Sequence, residues 1–144
     1  MIAIDTNVLL RRILRDDALQ AQKVDKLFEK HKAILITDVV LVETIWTLRG
    51  KKYGASKETI QQVIMSLLEE AHVTFENQQA VWSALNDYIS VKEVKTPNGM
   101  KGLDFSDALI INKAKIVMAQ WGEPYEATYT FDKAAQSVSD ARAL

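Results

Sequence analysis

The chain has 144 residues, 48% of them hydrophobic, with 18 basic side chains against 19 acidic ones and a net charge of −1. That length and hydrophobicity suit one folded domain with a real core and exclude a disordered chain, and the near-neutral balance excludes a protein that binds nucleic acid by bulk positive charge. Cysteine is absent, which removes disulfides, thiolate zinc sites and cysteine nucleophiles, and only His31 and His72 offer an imidazole. No apolar run is long enough to span a bilayer, and the start shows no basic, apolar and cleavage regions of a signal peptide, so the expected location is the cytoplasm, away from membranes.

Residues 1–5 read as the first strand. Ile2, Ala3 and Ile4 form an apolar run without alternation, the pattern of a strand buried on both faces. Asp5 ends it, and a short helix is predicted over 6–14, with Arg11, Arg12 and Arg15 at or near its end. Asp16 and Asp17 can cap a helix over about 18–31. Ala33 to Ile36 is a second apolar run and a second parallel strand. Thr37 and Asp38 open a helix from Val39 to about Arg49, closed by Gly50. After a basic loop, Ser56 caps a helix to about Ala71, and Val73 to Phe75 form a third, short strand. Asn77 caps a helix to about Ser90. Val91 to Gly102 is the least regular stretch, with a turn at Pro97-Asn98-Gly99. Asp104 starts a long helix to about Trp121, ended by Gly122 and Pro124. Tyr125 to Phe131 is a fourth strand, followed by Asp132 and a tail with room for a short edge strand.

Strands alternating with helices imply βαβ units, right-handed crossovers and a parallel sheet covered on both faces. In such sheets ligands bind beyond the carboxyl ends of the strands. Asp5 and Asp132 follow strands, and Glu43 and Asp107 lie near the starts of helices. Each acid also has an ordinary structural reading: Asp5, Asp104 and Asp132 as N-caps, and Asp107 as a first-turn acid favoured by the helix dipole. With Asp104 as the cap, Asp107 is the third helical residue, both should be ionised, and loss of the cap should cost about 0.5–2 kcal/mol. Glu43 has Val39, Val40, Trp46 and Thr47 at helical spacing and no Lys or Arg among them. On so apolar a face its carboxylate must reach solvent or find a partner.

Four carboxylates gathered at one edge repel each other unless protons or cations compensate. All are hard oxygen donors, which select Mg²⁺ or Mn²⁺ over zinc. An all-carboxylate site of that kind suits metal-assisted hydrolysis of a phosphodiester. Thr6, Asn7 and Thr130 stand beside the acids and can orient them or a bound water, or can serve as ordinary cap and turn residues.

Met-Ile-Ala-Ile-Asp-Thr-Asn-Val-Leu-Leu-Arg at the start, Glu43 in Leu-Val-Glu-Thr-Ile-Trp, Asp104-Phe-Ser-Asp107-Ala-Leu-Ile and Thr130-Phe-Asp132 together resemble a PIN domain. Size and motif order resemble the VapC type, the toxin of type II toxin–antitoxin pairs. The resemblance covers essentially the whole chain. It implies a three-layer α/β/α fold with a central parallel sheet of about five strands. It also implies an Mg²⁺- or Mn²⁺-dependent endoribonuclease, a homodimer and a cognate antitoxin. By motif position the catalytic acids are Asp5, Glu43, Asp107 and Asp132. Asp5, Asp107 and Asp132 also hold the metal, with Asp104 as a further ligand. The tail from Gln136 departs from the pattern, since it shows no clear strand.

Arg11, Arg12, Arg15, Lys51, Lys52 and Lys101 are placed to hold RNA phosphates beside such a site, or to be solvated surface charges. Arg11, Arg12 and Lys101 are the leading contacts for RNA or for an acidic antitoxin segment. Tyr53, Trp82 and Trp121 could stack bases or belong to the core, and neither histidine has a catalytic place. Three other readings compete. A receiver-like Mg²⁺-binding module needs an acidic pair after the first strand, where Thr6 and Asn7 stand, and an Asp after the middle one. A phosphatase of the haloacid-dehalogenase type needs Asp-x-Asp, and Asn7 holds the second place. A catalytically inactive PIN domain used for binding is disfavoured by the intact acids.

Overall fold

The computed structural model describes residues 1–144 and divides into two compact units, Met1–Gln78 and Gln79–Leu144. The first unit is built on a parallel sheet of three short strands, β1 (Ile2–Ala3), β2 (Ile34–Ile36) and β3 (Val73–Phe75), in that order. Ile2 lies opposite Ile34, and Ile34 opposite Val73. Four helices belong to this unit: α1 (Thr6–Leu14), α2 (Ala18–Lys30), α3 (Asp38–Arg49) and α4 (Lys57–Glu69). Each starts where a short polar side chain accepts the N–H three residues on: Asp5 from Val8, Asp17 from Gln20, Thr37 from Val40 and Ser56 from Thr59. These oxygens satisfy donors that the first helical turn leaves orphaned. The core takes one stripe from each helix, including Leu9 and Leu10, Val24 and Phe28, Leu41 and Leu48, and Ile60, Ile64 and Leu67, against Ile34, Ile36 and Phe75 of the sheet.

Arg12 ties this unit together. Its guanidinium lies 3.9 Å from the centre of the Phe28 ring and pairs with Asp25 at 3.3 Å and with Glu70. Arg15 makes a two-pronged pair with the same Asp25, at 3.0 and 2.8 Å. Arg12→Met would leave Glu70 without its cation and Phe28 without its cover. It is expected to lower stability by about 1–3 kcal/mol, measurable as a lower urea midpoint at unchanged slope.

In the second unit α5 (Gln78–Ser90) and α6 (Phe105–Trp121) supply the core. Val81, Leu85 and Tyr88 of α5 are buried, and the Tyr88 ring meets Phe105 edge-on at 6.0 Å. Buried Asn112 donates to Asp87 at 2.7 Å and to the Ala108 carbonyl at 2.9 Å, so its amide is satisfied. Between these helices β4 (Val94–Thr96) and β5 (Gly99–Lys101) form an antiparallel hairpin around Pro97 and Asn98. Gly99 has φ +103°, which L side chains rarely adopt, so this turn requires glycine. After α6, β6 (Thr128–Thr130) pairs in parallel with β7 (Ala141–Ala143), joined by a 3₁₀ turn at Ala135–Ser137.

The mixed α/β class stands, with six helices and parallel pairing. The continuous sheet is smaller than the expected five strands: three parallel strands form one sheet, and β6 and β7 form a separate pair. The expected double-sided burial of the first strand is also corrected, since Ile4 is buried, Ile2 half-buried and Ala3 exposed. The irregular stretch before α6 is a hairpin, and the tail does form its edge strand.

Candidate active site

In the first unit the junction of β1 and α1 places Asp5. Its carboxylate caps α1, accepting the Val8 N–H at 2.9 Å, and stays exposed. The next residue, Thr6, donates its hydroxyl to Glu43 Oε2 at 2.6 Å, across 37 residues of sequence. Thr6 thereby fixes the α3 carboxylate against the start of α1. Glu43 both reaches solvent and has a hydrogen-bond partner. Its face of α3 is not buried: Val39, Trp46 and Thr47 are exposed with it, while Leu41, Thr44, Ile45 and Leu48 make the core side. Asn7 is exposed in the first turn of α1. Thr6→Val keeps the shape and removes the donor. It is expected to cost about 0.5–1.5 kcal/mol or less and to lower any Glu43-dependent activity, with recovery in Thr6→Ser.

Arg11 and Arg12 are engaged within the chain. Arg11 pairs with Asp16 at 2.9 Å and donates to Gln20 at 2.6 Å. The hydrogen bond and charge of Asp16 raise its already high pKa. Arg12 is held as described above.

In the second unit three acids and one cation are electrically coupled. Asp132 follows β6 and caps the 3₁₀ turn: its Oδ1 accepts the Ala135 N–H at 2.9 Å. Its own N–H donates to Thr130 Oγ1 at 3.0 Å, a turn hydrogen bond to the backbone that does not touch the carboxylate. Its Oδ2 accepts from the Lys101 ammonium, carried on β5 of the hairpin. Burial pushes the Asp132 carboxyl up, but Lys101 and the N–H groups of Ala135 and Ala134 outweigh it and hold the pKa below the usual carboxylate value. Asp107 lies in the first turn of α6, half-buried. Burial raises its pKa first, then the charges of Asp132 and Asp104, with Lys101 opposing. The Lys101 pKa is raised by its bond to Asp132 and by the charges of Asp132, Asp104 and Asp107.

Two expectations change here. Asp104 is the N-cap residue of α6 by backbone, but its carboxylate makes no capping bond and is exposed. Asp104→Ala should therefore shift stability by less than about 0.5 kcal/mol, the range of an exposed substitution, and not by the cost of a lost cap; urea unfolding decides. Asp107 was expected to be favoured as an ion by the helix dipole, yet burial and two neighbouring acids disfavour its charge. One lysine does not balance three carboxylates, and Asp107 carries the deficit.

That deficit bears on a metal. The donors are all carboxylate oxygens, the set that suits Mg²⁺ or Mn²⁺, and their negative charge exceeds what Lys101 compensates. In this structure no three acidic or imidazole side chains close on one point, and the ammonium of Lys101 holds Asp132. The carboxylate chemistry and excess negative charge of Asp104, Asp107 and Asp132 suit a divalent cation, although their side chains do not converge on one point here.

The PIN domain family matches residues 2–137, a span that contains all four acidic motifs. The chain belongs to the PIN domain family. A search of curated proteins and of solved structures gave no match. PIN domains are generally metal-dependent nucleases and act on nucleic acid. No helix of the chain is long and apolar enough to cross a membrane.

Sequence reasoning missed two features of this PIN domain. The hairpin that delivers Lys101 to Asp132 was hidden because β5 is exposed throughout. Phe131, between Thr130 and Asp132, is 79% exposed. The signal was available, because alternation along β6 puts it on the same side as exposed Tyr129.

Proposed function

We propose that this PIN domain is a single-domain, cytoplasmic Mg²⁺- or Mn²⁺-dependent endoribonuclease, the toxin of a type II pair of the VapC kind. The observation that carries this reading is the under-compensated group of Asp104, Asp107 and Asp132 within the family match. The catalytic acids are Asp5 and Glu43 in the first unit and Asp107 and Asp132 in the second. Asp107 and Asp132 hold the cation, with Asp104 as a further ligand. When bound, the cation activates the attacking water and neutralises the leaving oxygen. Thr6 holds Glu43 in place, Thr130 holds the Asp132 backbone, and Asn7 orients groups next to Asp5. Lys101, which pairs with Asp132, would face a substrate phosphate if a cation took its place on that carboxylate. Arg11 and Arg12 contact RNA or the antitoxin at their outer edges. The active form is a homodimer, silenced by a cognate antitoxin.

Expression without an antitoxin tests this. Growth should arrest, new RNA 5′ ends should accumulate at defined sites, and Asp5→Asn at equal soluble abundance should relieve both. Equal toxicity of Asp5→Asn would remove Asp5 from the mechanism. Unchanged 5′ ends during arrest would remove ribonuclease action.

A further inference from the structure

The second unit contains a groove of about 620 Å³ between the β4–β5 turn and the segment that carries Asp132. Two large apolar side chains line it and remain exposed, Phe131 at 79% and Met100 at 61%. Neither serves the core. The backbone under Phe131 is nonetheless fixed. Thr130 sits in the β6–β7 ladder opposite Ala143, Asp132 N–H bonds Thr130 Oγ1, and the Gln136 amide donates to the Thr130 carbonyl at 3.2 Å. A rigid backbone thus presents an aromatic ring to solvent, one residue before the acid assigned to the reaction. Lys101 and exposed Lys133 line the same groove, and so does exposed Asn98, whose amide offers both a donor and an acceptor.

We infer that this groove is a stacking subsite for one unpaired nucleobase of single-stranded RNA, with Phe131 as the platform, Met100 as a second apolar wall and Lys133 for a flanking phosphate. A ring face accepts any base, because every base has a π-face, and cations beside it complement the backbone. The groove can take a base only where the base has left its helix, so the substrate is a loop, bulge or single strand, not a continuous duplex. A base stacked on Phe131 brings its own phosphate next to Asp132. This inference rests on the nuclease reading, which puts a phosphodiester at Asp132.

Binding tests it apart from cleavage. The full chain in EDTA is titrated into a fluorescent single-stranded RNA 12-mer of random sequence and into a duplex of the same length. Phe131→Ala is expected to weaken single-strand binding about 5- to 100-fold and to leave duplex binding unchanged. Phe131→Tyr should retain the affinity, and Met100→Ala, on the second apolar wall, should weaken it in the same direction. A 2-aminopurine in the strand should be quenched by the wild type and not by Phe131→Ala. Unchanged single-strand affinity in Phe131→Ala overturns the subsite, as does an equal loss for strand and duplex. Loss of a co-purifying protein without loss of RNA binding overturns it in favour of a protein contact. If the wild type cleaves RNA while Phe131→Ala binds normally, the subsite falls and the nuclease reading stands. If Phe131-dependent binding is seen but no metal gives cleavage, the nuclease reading falls and the binding site stands.

Discussion

Asp107→Asn is expected to lose RNA cleavage by about 10²–10³-fold or more, the scale of removing one preorganised charge from a reaction site, and to make the metal-free protein more stable. The two effects have one cause. Burial and the charges of Asp132 and Asp104 raise the Asp107 pKa in the folded state, so the folded protein holds the Asp107 proton more tightly than the unfolded chain does. The sign follows from linkage: the ionised group costs stability in full above the folded pKa. That cost fades as pH falls through the folded pKa toward the ordinary value of 3.8. Asn removes the charge. The gain is read as a higher Tm of the metal-free variant at neutral pH, and it should shrink as pH is lowered toward the ordinary carboxylate value. Asp132 runs the other way, because Lys101 and two N–H groups depress its pKa. Its contribution is present above the ordinary carboxylate value and is lost as pH falls through the depressed one, so Asp132→Asn should lose both cleavage and stability. A site that stabilises the fold when one of its acids is neutralised is a site kept for function. A drop in stability for Asp107→Asn at pH 7 would contradict this.

Mn²⁺ is expected to produce the largest change in stability. A cation that binds only the folded protein adds about 2.7 kcal/mol at a hundred times its dissociation constant, equivalent to roughly 5–10 °C for a chain of this length. On the proposed reading, an ion held by Asp132 would compete with the Lys101 ammonium that pairs with it in the metal-free protein. Lys101→Met should therefore melt lower than the wild type without metal, bind Mn²⁺ more tightly, and show a larger rise on its addition. Protein stripped of metal with EDTA and melted with and without Mn²⁺ reads both effects. Wild-type melting that ignores Mn²⁺ would remove the carboxylate metal site. A weaker Mn²⁺ response in Lys101→Met would show that the lysine supports the ion and does not compete with it.

The parts legible in the sequence were those written in local chemistry. Helix starts were legible because Asp5, Asp17, Thr37 and Ser56 are capping residues followed by apolar periodicity, and all four cap. Strands Ile34–Ile36 and Val73–Phe75 were legible as short β-branched and apolar segments between helices. The hairpin at 94–101 was not, because β4 is Val-Lys-Thr with one apolar residue and β5 is exposed throughout, too little for a hydrophobic alternation to show. β7 is Ala-Arg-Ala, with no β-branched residue to mark it, and it exists through its pairing with β6. Among the acids, spacing named Asp107 and Asp132, but spacing carries no field. Only the fold shows that Lys101 sits on Asp132 and that Asp107 is the acid pushed toward its neutral form. Glu43 was singled out for an apolar face that proved to be the exposed one, and Thr6, its partner, lies 37 residues away, beyond any local rule.

The most direct test of the central claim is cleavage of a single RNA by purified wild-type and Asp107→Asn protein, in Mn²⁺ and in EDTA, with the product ends identified. The predicted result is cleavage by the wild type in Mn²⁺ only, none by folded Asp107→Asn, and linear phosphate ends, as attack by water requires. Cleavage that persists in EDTA or in Asp107→Asn, or that yields 2′,3′-cyclic phosphate ends, would contradict a metal-dependent hydrolysis at these carboxylates.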